Sequence, residues 1–164
     1  MTRPSEIARF VEAQAGGEYE GALAEIRAGR KRGHWIWYTF PQIAGLGTSH
    51  MSQAYAIHDR SEAEEYLRHP LLSQRLLEIA SAAADHLRNG VALNTLMGSS
   101  IDAAKLVSSM TLFREVAGTL PAQSRTATTD SLADAAEAIL AAAASQGHPR
   151  CEHTIRVLAH PPAY

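Results

Sequence analysis

The chain has 164 residues, 46% hydrophobic and 20% charged, with net charge −2 and an isoelectric point near 6.4. That length suits one domain with a proper core, and the mild acidity argues against a nucleic acid polymer as partner. A single cysteine, Cys151, excludes an internal disulfide framework and fits a reducing, cytoplasmic setting. The N-terminal residues show no signal-peptide pattern, and no apolar run approaches the roughly 18 residues of a membrane span. Abundant alanine and the lack of long β-branched runs favour helix over sheet.

Periodicity and capping residues predict about eight helices in an irregular all-α bundle. Ser5 is read as the cap of a first helix carrying Ile7, Phe10 and Val11. A second helix, over 18–28, aligns Tyr19, Ala22, Leu23 and Ile26 before Gly29. Residues 30–49 are then read as a fixed aromatic-rich loop, interrupted at Pro41. Ser49 caps a short helix through Met51, Tyr55 and Ile57. Ser61 and Glu64 form a capping box for the next. Pro70 opens a long helix ending at Asn89-Gly90. Residues 91–97 read as a helical turn or a strand. A helix over 101–117 follows Gly98-Ser99-Ser100. After a loose linker over 118–128, Asp130 caps an alanine-rich helix ending at Gly147, and a last short helix covers 154–158. The whole is read as one domain over 6–160.

Trp35, Trp37, Tyr38 and Phe40 fall within six residues, between a basic run (Arg30, Lys31, Arg32, then His34) and Gly45-Leu46-Gly47. Such rings commonly supply core area. Beside glycines and a proline they also suit a binding loop held on a rigid scaffold. The basic run reads either as a solvated face or as an anion-binding rim beside stacking aromatics. Asp102 and Lys105, three apart on one helix, can meet. The 8 histidines form no metal-ligand spacing, there is no Cys-x-x-Cys or His-Glu-x-x-His pattern, and no metal or cofactor is expected. No Gly-x-Ser-x-Gly elbow supports a serine nucleophile.

Several segments are held in common with one bacterial family. They are Arg9-Phe-Val-Glu-Ala-Gln14, Gly33-His-Trp-Ile-Trp-Tyr-Thr-Phe-Pro-Gln42, Gly45-Leu-Gly47, Tyr55-Ala-Ile57, His69-Pro70 and Lys105-Leu-Val-Ser-Ser-Met-Thr-Leu-Phe113. Over residues 6–117 the chain resembles the domain of unknown function numbered 1810, whose members some genomes mislabel as calpastatin. The resemblance implies a small, almost all-α domain and no established activity. The chain departs from the family pattern at Gly33, at Thr39, at Met97-Gly98 with a single acid (Asp102), and through the C-terminal third, where helices over 129–158 diverge and Cys151 replaces an expected acid. The stretch Tyr66-Leu-Arg-His-Pro-Leu-Leu-Ser-Gln-Arg-Leu76 also looks like a segment of the helical family acting on ADP-ribose linkages, without that family's catalytic signature.

These readings predict a domain binding a small anionic, nucleotide- or ADP-ribose-like ligand. Arg32, His34, Trp35, Trp37, Gln42, Ser49 and Lys105 are expected to line one cleft. There a tryptophan would stack on a base or sugar and Lys105 or Arg32 would hold a phosphate. His34, Asp102 and Lys105 are the catalytic candidates, with N-glycosidic cleavage the reaction class the weaker resemblance implies. The alternative is a non-catalytic protein-interaction module in which the same rings are core and docking patch.

Overall fold

The structure, a computed structural model, describes residues 6–160. These form ten α-helices: α1 (Ala8–Ala13), α2 (Glu18–Arg27), α3 (Ile36–Thr39), α4 (His50–Ala54), α5 (Arg60–Arg68), α6 (Pro70–Arg88), α7 (Leu93–Met97), α8 (Ser100–Gly118), α9 (Ala127–Ser145) and α10 (Glu152–Ala159). Among the described residues there is no strand, only one isolated parallel bridge between Ile43 and Ile57. No helix is long and apolar enough to cross a membrane.

The two helices beyond the expected eight are short. Residues 91–97 resolve as the single turn α7. The supposed loop over 30–49 contains α3, because Ile36, Tyr38 and Thr39 are all buried and a helical turn pairs backbone groups that burial would otherwise orphan. The expected helix through Ile57 stops at Ala54, freeing Ile57 for the bridge with Ile43.

Helix α8 lies at the centre. Residues 106–113 are buried without interruption, so it is enclosed on all sides rather than amphipathic. Two of its buried hydroxyls are accommodated locally, Ser108 Oγ donating to the Ala104 carbonyl at 3.0 Å and Thr111 Oγ1 to Val107 at 2.8 Å, while that of Ser109 meets no partner among the described residues. Helix α9 packs against both α6 and α8. It does so through Ala135, Ala136, Ile139, Leu140 and Ala143, and the three small alanines let the axes approach.

Caps fix the boundaries. Pro70 stands at the start of α6 as expected, and the His69 ring accepts from the Leu72 amide. Two expected caps move by a few residues. Asp59, not Ser61, caps α5 by accepting from the Glu62 amide at 2.9 Å. Thr126, not Asp130, caps α9 in a reciprocal box with Thr129. Ser5, expected to cap α1, lies outside the described residues.

Candidate ligand-binding site

The segment between α2 and α3 is pulled onto one carboxylate. Glu25 Oε1 accepts from the amides of Arg32 and Gly33, each at 2.7 Å, and from Trp35 Nε1 at 3.0 Å. Burial pushes the Glu25 carboxyl up. The three N–H groups and the nearby Lys31 charge outweigh it, and the net shift is below the usual carboxylate value.

Lys31 is turned inward and is 6% exposed. Its ammonium donates to the Gly33 carbonyl, pairs with Asp102 Oδ2 at 2.8 Å and stands 4.9 Å from the Trp35 ring centre. Asp102 also meets Lys105 at 3.6 Å, as its helical spacing predicted, and Lys105 Nζ lies 5.0 Å from the centre of the Trp37 ring. One carboxylate thus serves two ammonium groups, each over a tryptophan.

Trp37 borders a cavity of about 200 Å³, whose other walls include Gln42, Ile43, residues 44–47, Ser52, Tyr55 and His58. The Ile43–Ile57 bridge supports it: Ala44 N–H donates to Ile57 O and Ile57 N–H to Gln42 O, both at 2.8 Å. Trp37 Nε1 is buried and meets no acceptor among the described residues. A buried donor without a partner costs about 1–3 kcal/mol. No carboxylate lines this cavity.

The seven residues expected to share one cleft are therefore divided. Trp37 and Gln42 line the cavity, and Lys105 stands at the Trp37 ring. Trp35 is buried with its N–H on Glu25, and exposed His34 borders a separate groove with Trp35, Glu18 and Tyr38. The cause is the spacing: side chains two apart on a helical turn cannot face the same way. Arg32 is exposed, with its amide on Glu25. Ser49 is an exposed helix cap accepting from the Ser52 amide. Of the catalytic candidates, Asp102 is held between two lysines and His34 lies away from the cavity.

Lys31, Tyr55 and Arg9, named in the basic run or the family segments, were not among the residues expected to line the cleft. Arg9 donates to the carbonyls of Ala54 and Ala56, at 3.0 and 2.7 Å, and to both oxygens of buried Glu62, at 2.8 and 3.3 Å. It ties the Tyr55 wall to α1. Atoms of Glu6, His58 and Glu62 that could ligate a metal lie within 4.8 Å of one another, but the Arg9 guanidinium already supplies positive charge there. Gln14 is likewise structural: its amide donates to the Tyr38 carbonyl at 2.8 Å, and its oxygen accepts from Arg75 at 3.3 Å. The family motif beginning at Arg9 flagged both positions without indicating a role.

A family model described as "Protein of unknown function (DUF1810)" matches residues 4–141. Among solved structures, the chain is similar to Rv1873, a conserved hypothetical protein from Mycobacterium tuberculosis. The two share 34% identity with a TM-score of 0.72 over 96% of this chain and 99% of that one. No curated protein matches the chain.

Proposed function

Taking as premise that the chain belongs to the DUF1810 family of unknown function, we propose that it binds a small ligand carrying one flat ring and an anionic group. The ring enters the cavity beside Trp37 and Tyr55. The unpartnered Trp37 Nε1 carries this reading: it is covered as the cavity stands, and a ligand acceptor that shifts the wall to reach it would complete a hydrogen bond the protein leaves unmade. Gln42 adds a side-chain amide on the same wall, and Lys105, beside Trp37, offers the charge for a phosphate or carboxylate outside the cavity.

Size limits the ligand. At about 200 Å³ the cavity is below the range for drug-sized ligands, about 300–1,000 Å³, and above the about 150 Å³ that holds a benzene ring. A base or a similar heterocycle fits inside, and the sugar and phosphate of an ADP-ribose-like molecule would remain outside. With no carboxylate on the wall, the proposal is binding rather than N-glycosidic cleavage.

The test is a thermal-shift titration against adenine, AMP, ADP-ribose and ribose 5-phosphate. A ligand at about 100 times its dissociation constant stabilises the fold by about 2.7 kcal/mol. The expected result is a saturable shift with AMP or ADP-ribose, weaker with adenine and absent with ribose 5-phosphate. No shift with any of the four would reject the reading.

A further inference from the structure

The cavity wall at residues 45–47 is held in an unusual way. A turn at Ala44-Gly45 leads into it. The preceding residue, Ala44, is fixed at both ends of its peptide group. Its N–H donates to Ile57 O at 2.8 Å, and its carbonyl faces His153 Nε2 at 2.9 Å. A carbonyl only accepts, so Nε2 carries the hydrogen.

The same imidazole closes on Gly45. A Cβ built there would lie 2.9 Å from Nε2 and 3.0 Å from Cε1, and Gly45 has φ +99°. The positive φ favours glycine at this position, and a Cβ there would displace the imidazole from the Ala44 carbonyl. His153 is itself well placed by the fold. It sits in the first turn of α10, next to buried Thr154, and the Cys151 amide anchors the start of that helix to Thr111 Oγ1 on α8 at 3.2 Å. Helix α10 lies beyond residues 4–141, the stretch the family model matches.

We propose that His153 is a positioning residue of the cavity, locking the 44–47 wall through Ala44, so that α10 is a working part of the binding site. This rests on the binding reading above. The test pairs two variants. His153→Ala removes the donor. His153→Gln keeps an N–H at similar reach. Hydrogen exchange of the Ala44 amide, which is paired with Ile57 O, is followed residue by residue, with α6 and α9 amides reporting on global stability, and AMP binding is measured alongside.

The expected result is a rise of at least tenfold in exchange of the Ala44 amide in His153→Ala, with α6 and α9 unchanged. AMP affinity falls about tenfold, and both effects are recovered in His153→Gln. Parent-like exchange of the Ala44 amide in His153→Ala overturns the proposal, as does an equal rise in every helix. A local rise rescued by Gln, with no AMP response in any variant including the parent, supports the role of His153 and rejects only the binding reading.

Discussion

At the scale of single residues, the two tryptophans differ in one respect that decides their roles. Trp35 gives its indole hydrogen to Glu25, whereas Trp37 gives its hydrogen to no acceptor among the described residues. Trp37→Phe should therefore leave the unliganded protein at least as stable as the parent, within about 1 kcal/mol of lost ring area and gained relief from the orphan donor. Trp35→Phe should cost about 1.5–3 kcal/mol, the range for hydrogen bonds to a charged group. Urea denaturation of the two variants compares them. Glu25 makes a pH prediction as well. Its folded value lies below 4.5, so its contribution is present above that pH and is lost as pH falls through the folded value. Glu25→Gln should flatten that acid limb of the stability curve and leave the alkaline side alone. None of this was legible in the sequence. Trp35 and Trp37 are two letters apart, and nothing local says which ring turns toward Glu25, ten residues before Trp35.

Cys151 is the other informative residue. Burial pushes its thiol up, but the surrounding Ser108 and Thr154 hydroxyls and the amides of His153 and Thr154 bring the net shift below the usual thiol value. The rate of alkylation by iodoacetamide should reach half its maximum at a lower pH in the folded protein than in the same chain unfolded in urea. The sequence alone offered only a thiol near the chain end.

At the scale of elements, periodicity located the long helices because an apolar residue every three or four positions places one continuous stripe on a helix and scatters over both faces of a strand. Caps were read less well. Asp59 and Ser61 lie within one turn, as do Thr126 and Asp130, and each is a competent acceptor. The chain's entry angle into the helix decides between them, and packing sets that angle. Helix α3 was missed because its four residues are too few for any period to show. The connection from α4 to α5 depends on Arg9, which holds Ala54, Ala56 and Glu62 together. Arg9→Met should cost about 3–5 kcal/mol by leaving the buried Glu62 carboxylate unpaired. A smaller loss on the double change Arg9→Met with Glu62→Gln would show that the unpaired charge, not lost packing, is the cause.

At the scale of the whole molecule, the fold class was legible and the convergence of residues was not. Alanine content and helical spacing foretold an all-α chain, and α9 uses its alanines for close packing on α6 and α8. Ala136→Leu should therefore lower stability by about 1–3 kcal/mol through overpacking, measured as a lower denaturation midpoint. The candidate site is assembled from four distant segments: Trp37 and its loop, Tyr55 and His58, Lys105 on α8, and His153 on α10. Contacts spanning 109 positions, as between Ala44 and His153, leave no local pattern to read. Lys31 shows the same limit in one residue. Within a basic run it reads as part of a solvated face or an anion-binding rim, yet the fold buries it against Asp102 and Trp35.

The most direct measurement follows the two indole N–H resonances in a ¹⁵N-labelled sample, assigned with Trp37→Phe, during titration with AMP. The chain has 2 tryptophans, so two signals are expected, and they report on opposite sides of the same segment. The binding proposal predicts that the Trp37 signal moves downfield and saturates as its hydrogen finds an acceptor, while the Trp35 signal, already bound to Glu25, stays in place. A stationary Trp37 signal, or movement of Trp35 alone, would contradict it.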